Sequence, residues 1–135
     1  MSASKNAVSC VSVENHQVLV RSAGHSWLVD EPPGLGGDGL GPNPFDLLLG
    51  ALGACVVITV GHYAAQARIP LEGLWADVTG EQPPGDAAYR ASLAVRVRGT
   101  LTDQDLDRLR RAVERCPVHR ALSAGVAVTT EVRRV

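Results

Sequence analysis

Two cysteines, Cys55 and Cys116, are the residues of this sequence best suited to chemistry. Cys55 lies inside the apolar stretch 47–59, and Cys116 directly precedes Pro117. A single cysteine at either kind of position is usually a small apolar residue without reactivity. A pair of thiols does redox chemistry when the fold brings the two together, because a thiolate exchanges with a disulfide. The residues that flank them therefore decide how the pair is interpreted.

The sequence around Cys116 favours an ionised thiol. Because Pro117 is a preferred first residue of a helix, Cys116 is predicted at the N-cap of a short helical turn over 117–123. The unpaired N–H groups and the positive dipole end at that position favour thiolate, and Arg115, His119 and Arg120 add positive charge nearby. A cysteine that merely fills space at a helix break is the alternative, and the local sequence leaves both open.

Cys55 has no such local help, since the middle of a helix offers neither a dipole end nor free N–H groups. We expect its activation to come from elsewhere in the fold. His62 lies seven residues on, on the same helix face, and with Cys116 and His119 it would complete a Cys2His2 zinc site. The spacing does not match a zinc ribbon or finger, so no metal is expected.

Length, charge and cysteine usage limit the class of protein. A chain of 135 residues is predicted to be a single domain, 1–135, with a core that needs no disulfide. Three irregularly spaced cysteines and no charged-then-apolar leader at 1–6 predict the reducing cytoplasm. A net charge of -1 argues against a nucleic-acid partner. The apolar run 47–61 is expected to be too short and too rich in glycine to span a membrane.

Periodicity predicts strands alternating with helices. Strands are predicted over 7–13, 17–21, 26–29, 71–79, 88–100 and 126–132, with a turn at 82–86. Helices are predicted over 45–68 and 102–115, in addition to the short turn 117–123. Asn43 is predicted to cap the first of these helices, and Thr102 with Asp105 resembles a capping box at the start of the second. A loop dense in glycine and proline, 30–44, precedes the long helix. This order of elements predicts an α+β fold.

The long helix is apolar on every face. Its apolar residues include Leu47, Leu48, Leu49, Leu52, Val56, Val57, Ile58 and Val60. A helix without a polar side must be buried all round, and one small subunit can hardly achieve that. We therefore predict a homodimer in which a second subunit covers the helix.

Two motifs surround the cysteines, 41–55 and 115–122, and Thr59 and Tyr63 follow the first of them. Together they resemble the OsmC/Ohr family of thiol peroxidases. Residues 30–32 and the pair Gly36 and Gly37 also match the OsmC-like branch of that family. The pair of motifs is specific, whereas either motif alone would be weak.

The resemblance implies an intertwined homodimer with two long central helices wrapped by antiparallel sheets and an active site at the subunit boundary. In the family, the cysteine that matches Cys55 attacks the peroxide O–O bond and becomes a sulfenic acid. The cysteine that matches Cys116 then condenses with it to a disulfide. An external dithiol reductant, carrying lipoyl groups in some members, restores the thiols. No metal or bound organic cofactor is implied.

The chain departs from the organic-hydroperoxide branch at Phe45, where that branch carries a glutamate. Asp46 supplies a carboxylate one position later, as OsmC-like members do. The family's thiolate also needs an arginine from the early strands, and Arg21 is the only arginine before the long helix. The resemblance thus implies that Arg21 lowers the pKa of Cys55 and that Asp46 orients Arg21. Cys10 has no counterpart in the family.

These observations predict a cytoplasmic, homodimeric, cysteine-based peroxidase for oxidative stress defence. Because Cys55 is expected in a cleft lined by apolar neighbours, organic hydroperoxides are the expected substrates in preference to hydrogen peroxide. A non-catalytic small-molecule-binding protein that keeps both cysteines is the alternative, and the substitution at Phe45 favours it. A zinc-containing dimer is a third hypothesis.

Overall fold

The computed structural model describes residues 5–85 and 88–135. These residues form two compact units, of which the first ends at Leu48 and the second begins at Leu49. The prediction of a single domain stays a prediction. Of the predicted segments, the leader region 1–6 and the turn 82–86 lie partly outside the described residues.

The first unit contains an antiparallel sheet. Its strands are β1 (Ser9–Ser12), β2 (Val18–Ser22) and β3 (His25–Val29), in the order β1-β2-β3. Val20 and Val29 are the buried apolar residues of this sheet. All three strands are confirmed, with ends shifted by a few residues from those predicted.

The loop after β3 is organised around a buried carboxylate. Asp30 is 1% exposed. It accepts backbone hydrogen bonds from Glu31, Asp38 and Leu40 at 2.8, 3.2 and 3.1 Å. Burial raises the pKa of Asp30, but these three bonds and the nearby His16 outweigh it and lower the pKa below its usual value.

The long helix α1 spans Pro44–Gln66. The side chain of Asn43 accepts a hydrogen bond from the Asp46 N–H at 2.9 Å, which caps the first turn as the sequence predicted. The buried positions lie on one side of the helix and are Leu52, Gly53, Val56, Val60 and Ala64. Burial on every side is not achieved within one chain, because Ile58 on another face is 71% exposed.

By length and composition, α1 is long and apolar enough to cross a membrane. The apolar run 47–61, expected to be too short to span a membrane, is the central part of this longer helix, which continues to Gln66. The core helix of a soluble protein can be equally long and apolar, so length and composition alone do not distinguish it from a membrane-spanning helix.

The second unit packs a β-hairpin and two helices around the apolar face of α1. The hairpin strands are β4 (Gly73–Glu81) and β5 (Arg90–Arg98), and the helices are α2 (Asp103–Val113) and α3 (Pro117–Ala124). Helix α2 begins with the predicted capping box, in which Thr102 and Asp105 exchange side-chain-to-backbone bonds. Its Leu109 and Ala112 join the buried core with Val56 of α1.

The predicted strand 126–132 is not present, and this prediction was wrong for the single chain. Residues 125–135 have no regular secondary structure. Val126, Val128 and Val132 are 65%, 78% and 92% exposed. A strand exists only where another strand pairs with it, and within the described residues none pairs with this segment.

Candidate redox site

Helix α1 carries the first thiol, Cys55, on the side that packs against the core of the second unit. The side chain is half-buried. Thr59 lies one helical turn further on, so its hydroxyl reaches back to the Cys55 sulfur, with which it forms a hydrogen bond. Position 55 thus has a local donor, which sequence reasoning missed although the spacing of four residues could have revealed it.

The second thiol, Cys116, is fully buried at the N-cap of α3, where the sequence placed it. Pro117 is the first residue of the helix, and the His119 N–H donates to the Cys116 sulfur at 3.5 Å. The link from α2 is short, since the Cys116 N–H donates to the Val113 carbonyl at 3.1 Å. The end of α2 therefore sets the position of this thiol.

The fold brings the two cysteines together, and their side chains are hydrogen-bonded to each other. Burial raises the pKa of Cys55, but hydrogen bonds from the Cys116 thiol, the Val118 N–H and the Thr59 hydroxyl outweigh it and lower the pKa below the usual value for cysteine. Cys55 is therefore the member of the pair that ionises first.

The pKa of Cys116 moves the other way. Burial raises it, and the hydrogen bond to Cys55 and the charge on Cys55 raise it further, against the backbone N–H groups of His119 and Val118. The direction of this pKa does not support the ionised thiol that the local sequence favours at Cys116. The N-cap geometry is as predicted, but the two N–H groups do not compensate for burial beside a second negative sulfur.

Arg21 and Asp46, the other two predicted site residues, both lie in the first unit. Arg21 is exposed on β2, beside an open cavity of about 560 Å³ lined by neighbours such as Ser9 and His25. Asp46 is exposed in the first turn of α1. Within the described residues, the two side chains form no ion pair with each other. Their roles at Cys55 stay predictions.

The zinc alternative receives no support from the arrangement of the possible ligands. Among residues 5–85 and 88–135, no three histidine, cysteine or acidic side chains come together in a way that could hold a metal ion. His62 is exposed on α1, and His119 is half-buried. Cys10 is an exposed thiol on β1.

Comparison with known sequences decides the family. The sequence model of the OsmC-like protein family matches residues 36–131, well over half of the chain. The chain belongs to the OsmC-like family. The matched region contains both cysteines of the candidate site. A search of the curated protein sequences found no match.

Solved structures with this fold agree with the assignment. An OsmC-like protein from Mycoplasma pneumoniae is 21% identical, with 90% of this chain and 89% of that chain covered and a TM-score of 0.80. An organic hydroperoxide resistance protein OsmC from Legionella pneumophila is 20% identical, with 90% and 91% covered and a TM-score of 0.69. An organic hydroperoxide resistance protein from Elizabethkingia anophelis is 20% identical, with 88% of each chain covered and a TM-score of 0.69.

At these identities the likeness establishes the fold alone. The predicted α+β, OsmC-like fold is confirmed. The activity, the subunit arrangement and the roles of individual residues rest on the chemistry of the site.

Proposed function

We propose that this protein is a thiol-dependent peroxidase that reduces organic hydroperoxides through Cys55 and Cys116. The observation that carries the proposal is that the fold places both thiols in one core cluster, with Cys116 at the N-cap of α3 and Cys55 packed against the cluster. The pKa values of the two thiols also move in opposite directions. Cys55 has a lowered pKa, whereas the thiol hydrogen-bonded to it, Cys116, has a raised one. Because the thiolate and not the thiol is the nucleophile, the cysteine with the lower pKa is the one suited to react first with the peroxide, and this asymmetry supports that role for Cys55.

In the first step, the Cys55 thiolate attacks the terminal oxygen of the hydroperoxide. The S–O bond forms as the O–O bond breaks, which leaves a sulfenic acid on Cys55 and an alkoxide that takes a proton to become the alcohol. Sulfur is oxidised by two electrons and the peroxide is reduced by two.

In the second step, the Cys116 sulfur attacks the sulfenic sulfur of Cys55. A disulfide forms, the S–OH bond breaks, and the hydroxyl leaves with the Cys116 proton as water. An external dithiol then reduces the disulfide by thiol–disulfide exchange and is itself oxidised to a disulfide. Because the fold places the two thiols in the same core cluster, this second step is effectively unimolecular.

The surroundings of Cys55 support an apolar substrate. The half-buried thiol packs against a cluster of apolar side chains that includes Val56 and Val60. A peroxide with an alkyl group gains from contact with such surfaces, whereas hydrogen peroxide does not. Arg21 and Asp46 are proposed to complete the site, as the motifs of the family imply.

The working form is proposed to be a homodimer in the cytoplasm. The exposed side of α1, with Ile58 71% exposed, is the kind of surface that a second copy of the chain would cover. Free thiols in a catalytic cycle of this type need a reducing compartment. Sedimentation at micromolar concentration tests the dimer, and a stable monomer would contradict it.

The activity is tested by the steady-state consumption of cumene hydroperoxide with a dithiol donor. Cys55→Ser is expected to abolish turnover, and Cys10→Ser, which removes the exposed thiol of the first unit, serves as the matched control and is expected to keep it. Turnover that survives in Cys55→Ser would contradict the proposal.

A binding protein without turnover is the second candidate, and Phe45 in place of the glutamate of the organic-hydroperoxide branch favours it. That candidate predicts a wild-type protein that binds an apolar ligand but consumes no peroxide.

A further inference from the structure

Tyr63 connects the redox site to two arginines. It lies two turns beyond Cys55 on the same side of α1, with Thr59 between them. Its hydroxyl oxygen accepts a hydrogen bond from the Arg108 Nε at 3.2 Å. The guanidinium carbons of Arg108 and Arg115 lie 5.9 and 5.4 Å from the centre of its ring. Two cations thus hold one half-buried ring.

The two arginines belong to the segment that carries the second thiol. Arg108 lies on α2, and Arg115 directly precedes Cys116. Between α2 and Cys116 the backbone turns tightly, with the Arg115 N–H bonded to the Ala112 carbonyl at 3.0 Å. No flexible spacer separates the arginine from the thiol, so the placement of Arg115 on Tyr63 also fixes the start of α3.

We propose that Tyr63 is a positioning residue for the disulfide step. By holding Arg108 and Arg115, it keeps the Cys116 sulfur directly against the Cys55 sulfur. The inference rests on the proposed function, in that Cys55 and Cys116 are taken as the redox pair. The condensation depends on this placement because the Cys116 sulfur must approach the Cys55 sulfur in line with the S–OH bond, from the side opposite the hydroxyl. A small displacement from that line slows such a reaction strongly.

Oxidation of Cys55 depends less on Tyr63. Two of the three groups that lower the pKa of Cys55, the Cys116 thiol and the Val118 N–H, move with α3, and a small shift of α3 weakens them without removing them. The third, the Thr59 hydroxyl, belongs to α1 itself and stays in place. The two steps should therefore respond differently to the loss of the ring. A residue that only stabilises the fold would slow both steps alike.

The chain offers a matched control in Trp75. This residue is an aromatic of the β4–β5 hairpin, 41% exposed, and the guanidinium carbons of Arg96 and Arg98 lie 5.6 and 5.4 Å from its ring centre. It has the same kind of contact with two arginines, but within the part of the chain that the structure describes it forms no hydrogen bond with either thiol of the site. Loss of its ring removes a comparable cluster without touching α3.

The test separates the two steps in a Cys10→Ser background. Reduced protein is mixed rapidly with cumene hydroperoxide and quenched with dimedone and N-ethylmaleimide, and the Cys55 sulfenic acid and the Cys55–Cys116 disulfide are counted by peptide mass spectrometry.

Tyr63→Leu and Arg115→Gln are expected to slow disulfide formation about tenfold while Cys55 oxidation slows about threefold at most. Tyr63→Phe, which keeps the ring, and Arg115→Lys, which keeps the charge, should retain most of the rate, and Trp75→Leu should match the parent protein.

An unchanged disulfide step in both Tyr63→Leu and Arg115→Gln would overturn the inference, as would an equal slowing of both steps or a similar effect of Trp75→Leu. If Tyr63→Leu fails to fold, the exposed Arg115 decides the question through Arg115→Gln. Diamide supplies a second readout, because it takes two electrons from a thiol pair and leaves a disulfide without any peroxide. Failure of the proposed function would appear as a parent protein that forms the disulfide with diamide but is not oxidised by the hydroperoxide.

Discussion

The loop around Asp30 and the site around Cys55 both stabilise a negative charge against burial, but with different hydrogen-bond donors. Each holds a negative charge in a position where burial raises the pKa, and in each three hydrogen bonds lower the pKa again. For Asp30 the donors are the backbone N–H groups of Glu31, Asp38 and Leu40, and for Cys55 they are the Cys116 thiol, the Val118 N–H and the Thr59 hydroxyl.

The difference between the donors accounts for the difference in use. Backbone N–H groups cannot react, so the charge on Asp30 only organises the loop. At Cys55 one donor is itself a thiol, and in the proposed mechanism the group that stabilises the charge is also the group that reacts with the oxidised sulfur next. Whether an anion stabilised by three hydrogen bonds has a structural or a reactive role thus depends on the chemical nature of its donors.

The largest expected effect is at the loop. A Cβ at Gly37 would overlap the carbonyl oxygen of Glu31 and approach the Asp30 carboxylate, so Gly37→Ala must displace the segment that donates to Asp30. We expect a loss of about 1–3 kcal/mol in the free energy of unfolding, measured by urea denaturation. Gly34→Ala is the matched control, because a Cβ there meets no atom within 4 Å. Equal stability of the two variants would show that the loop is not held tightly around Asp30.

The second expectation concerns pH. The folded pKa of Asp30 lies below the usual value of 3.8, so its contribution to stability is present above about pH 4 and is lost as the pH falls through the folded pKa. Asp30→Asn cannot accept all three bonds through its amide and should be less stable than wild type at pH 7. The difference in urea midpoint between wild type and Asp30→Asn should narrow below pH 4. A difference that stays constant from pH 7 to pH 2 would contradict the role of the charge.

A smaller effect is expected when the reactive donor at Cys55 is removed. Cys116→Ala deletes the thiol that donates to Cys55, so the pKa of Cys55 should rise and its alkylation by iodoacetamide at pH 7 should slow by about tenfold. Cys116→Ser keeps a hydroxyl donor and should slow it less. Equal rates in both variants and in wild type would mean that Cys116 does not hold the Cys55 charge.

The smallest effect is expected for the local donor. Thr59→Val removes the hydroxyl but keeps the shape of the side chain, and alkylation of Cys55 at pH 7 should slow about threefold. Thr59→Ser retains the hydroxyl and should react as wild type does. A faster reaction in Thr59→Val would show that the hydroxyl does not stabilise the thiolate.

Features with local signals could be predicted from the sequence. The capping box at Thr102, the cap at Asn43 and the N-cap position of Cys116 follow from a few adjacent residues, and all three are confirmed. The prediction of a strand at 126–132 was wrong because a strand requires a second strand to pair with, which no local sequence pattern supplies.

The site chemistry depended on tertiary contacts. The raised pKa of Cys116 comes from burial beside Cys55, sixty-one positions away in the sequence, which the N-cap pattern does not contain. The role of Asp30 was equally hidden, since its farthest donor, Leu40, lies ten residues on in a loop without periodicity. Thr59 is the exception, because the four-residue spacing on a helix would have revealed it.

The division of roles between the two thiols is tested by oxidising reduced protein with one equivalent of cumene hydroperoxide and mapping the products by peptide mass spectrometry. We expect an intramolecular Cys55–Cys116 disulfide in wild type and a trapped sulfenic acid on Cys55 in Cys116→Ser. Cys55→Ser should remain reduced. Oxidation that falls first on Cys116 or Cys10, or the absence of a Cys55–Cys116 disulfide, would contradict this account.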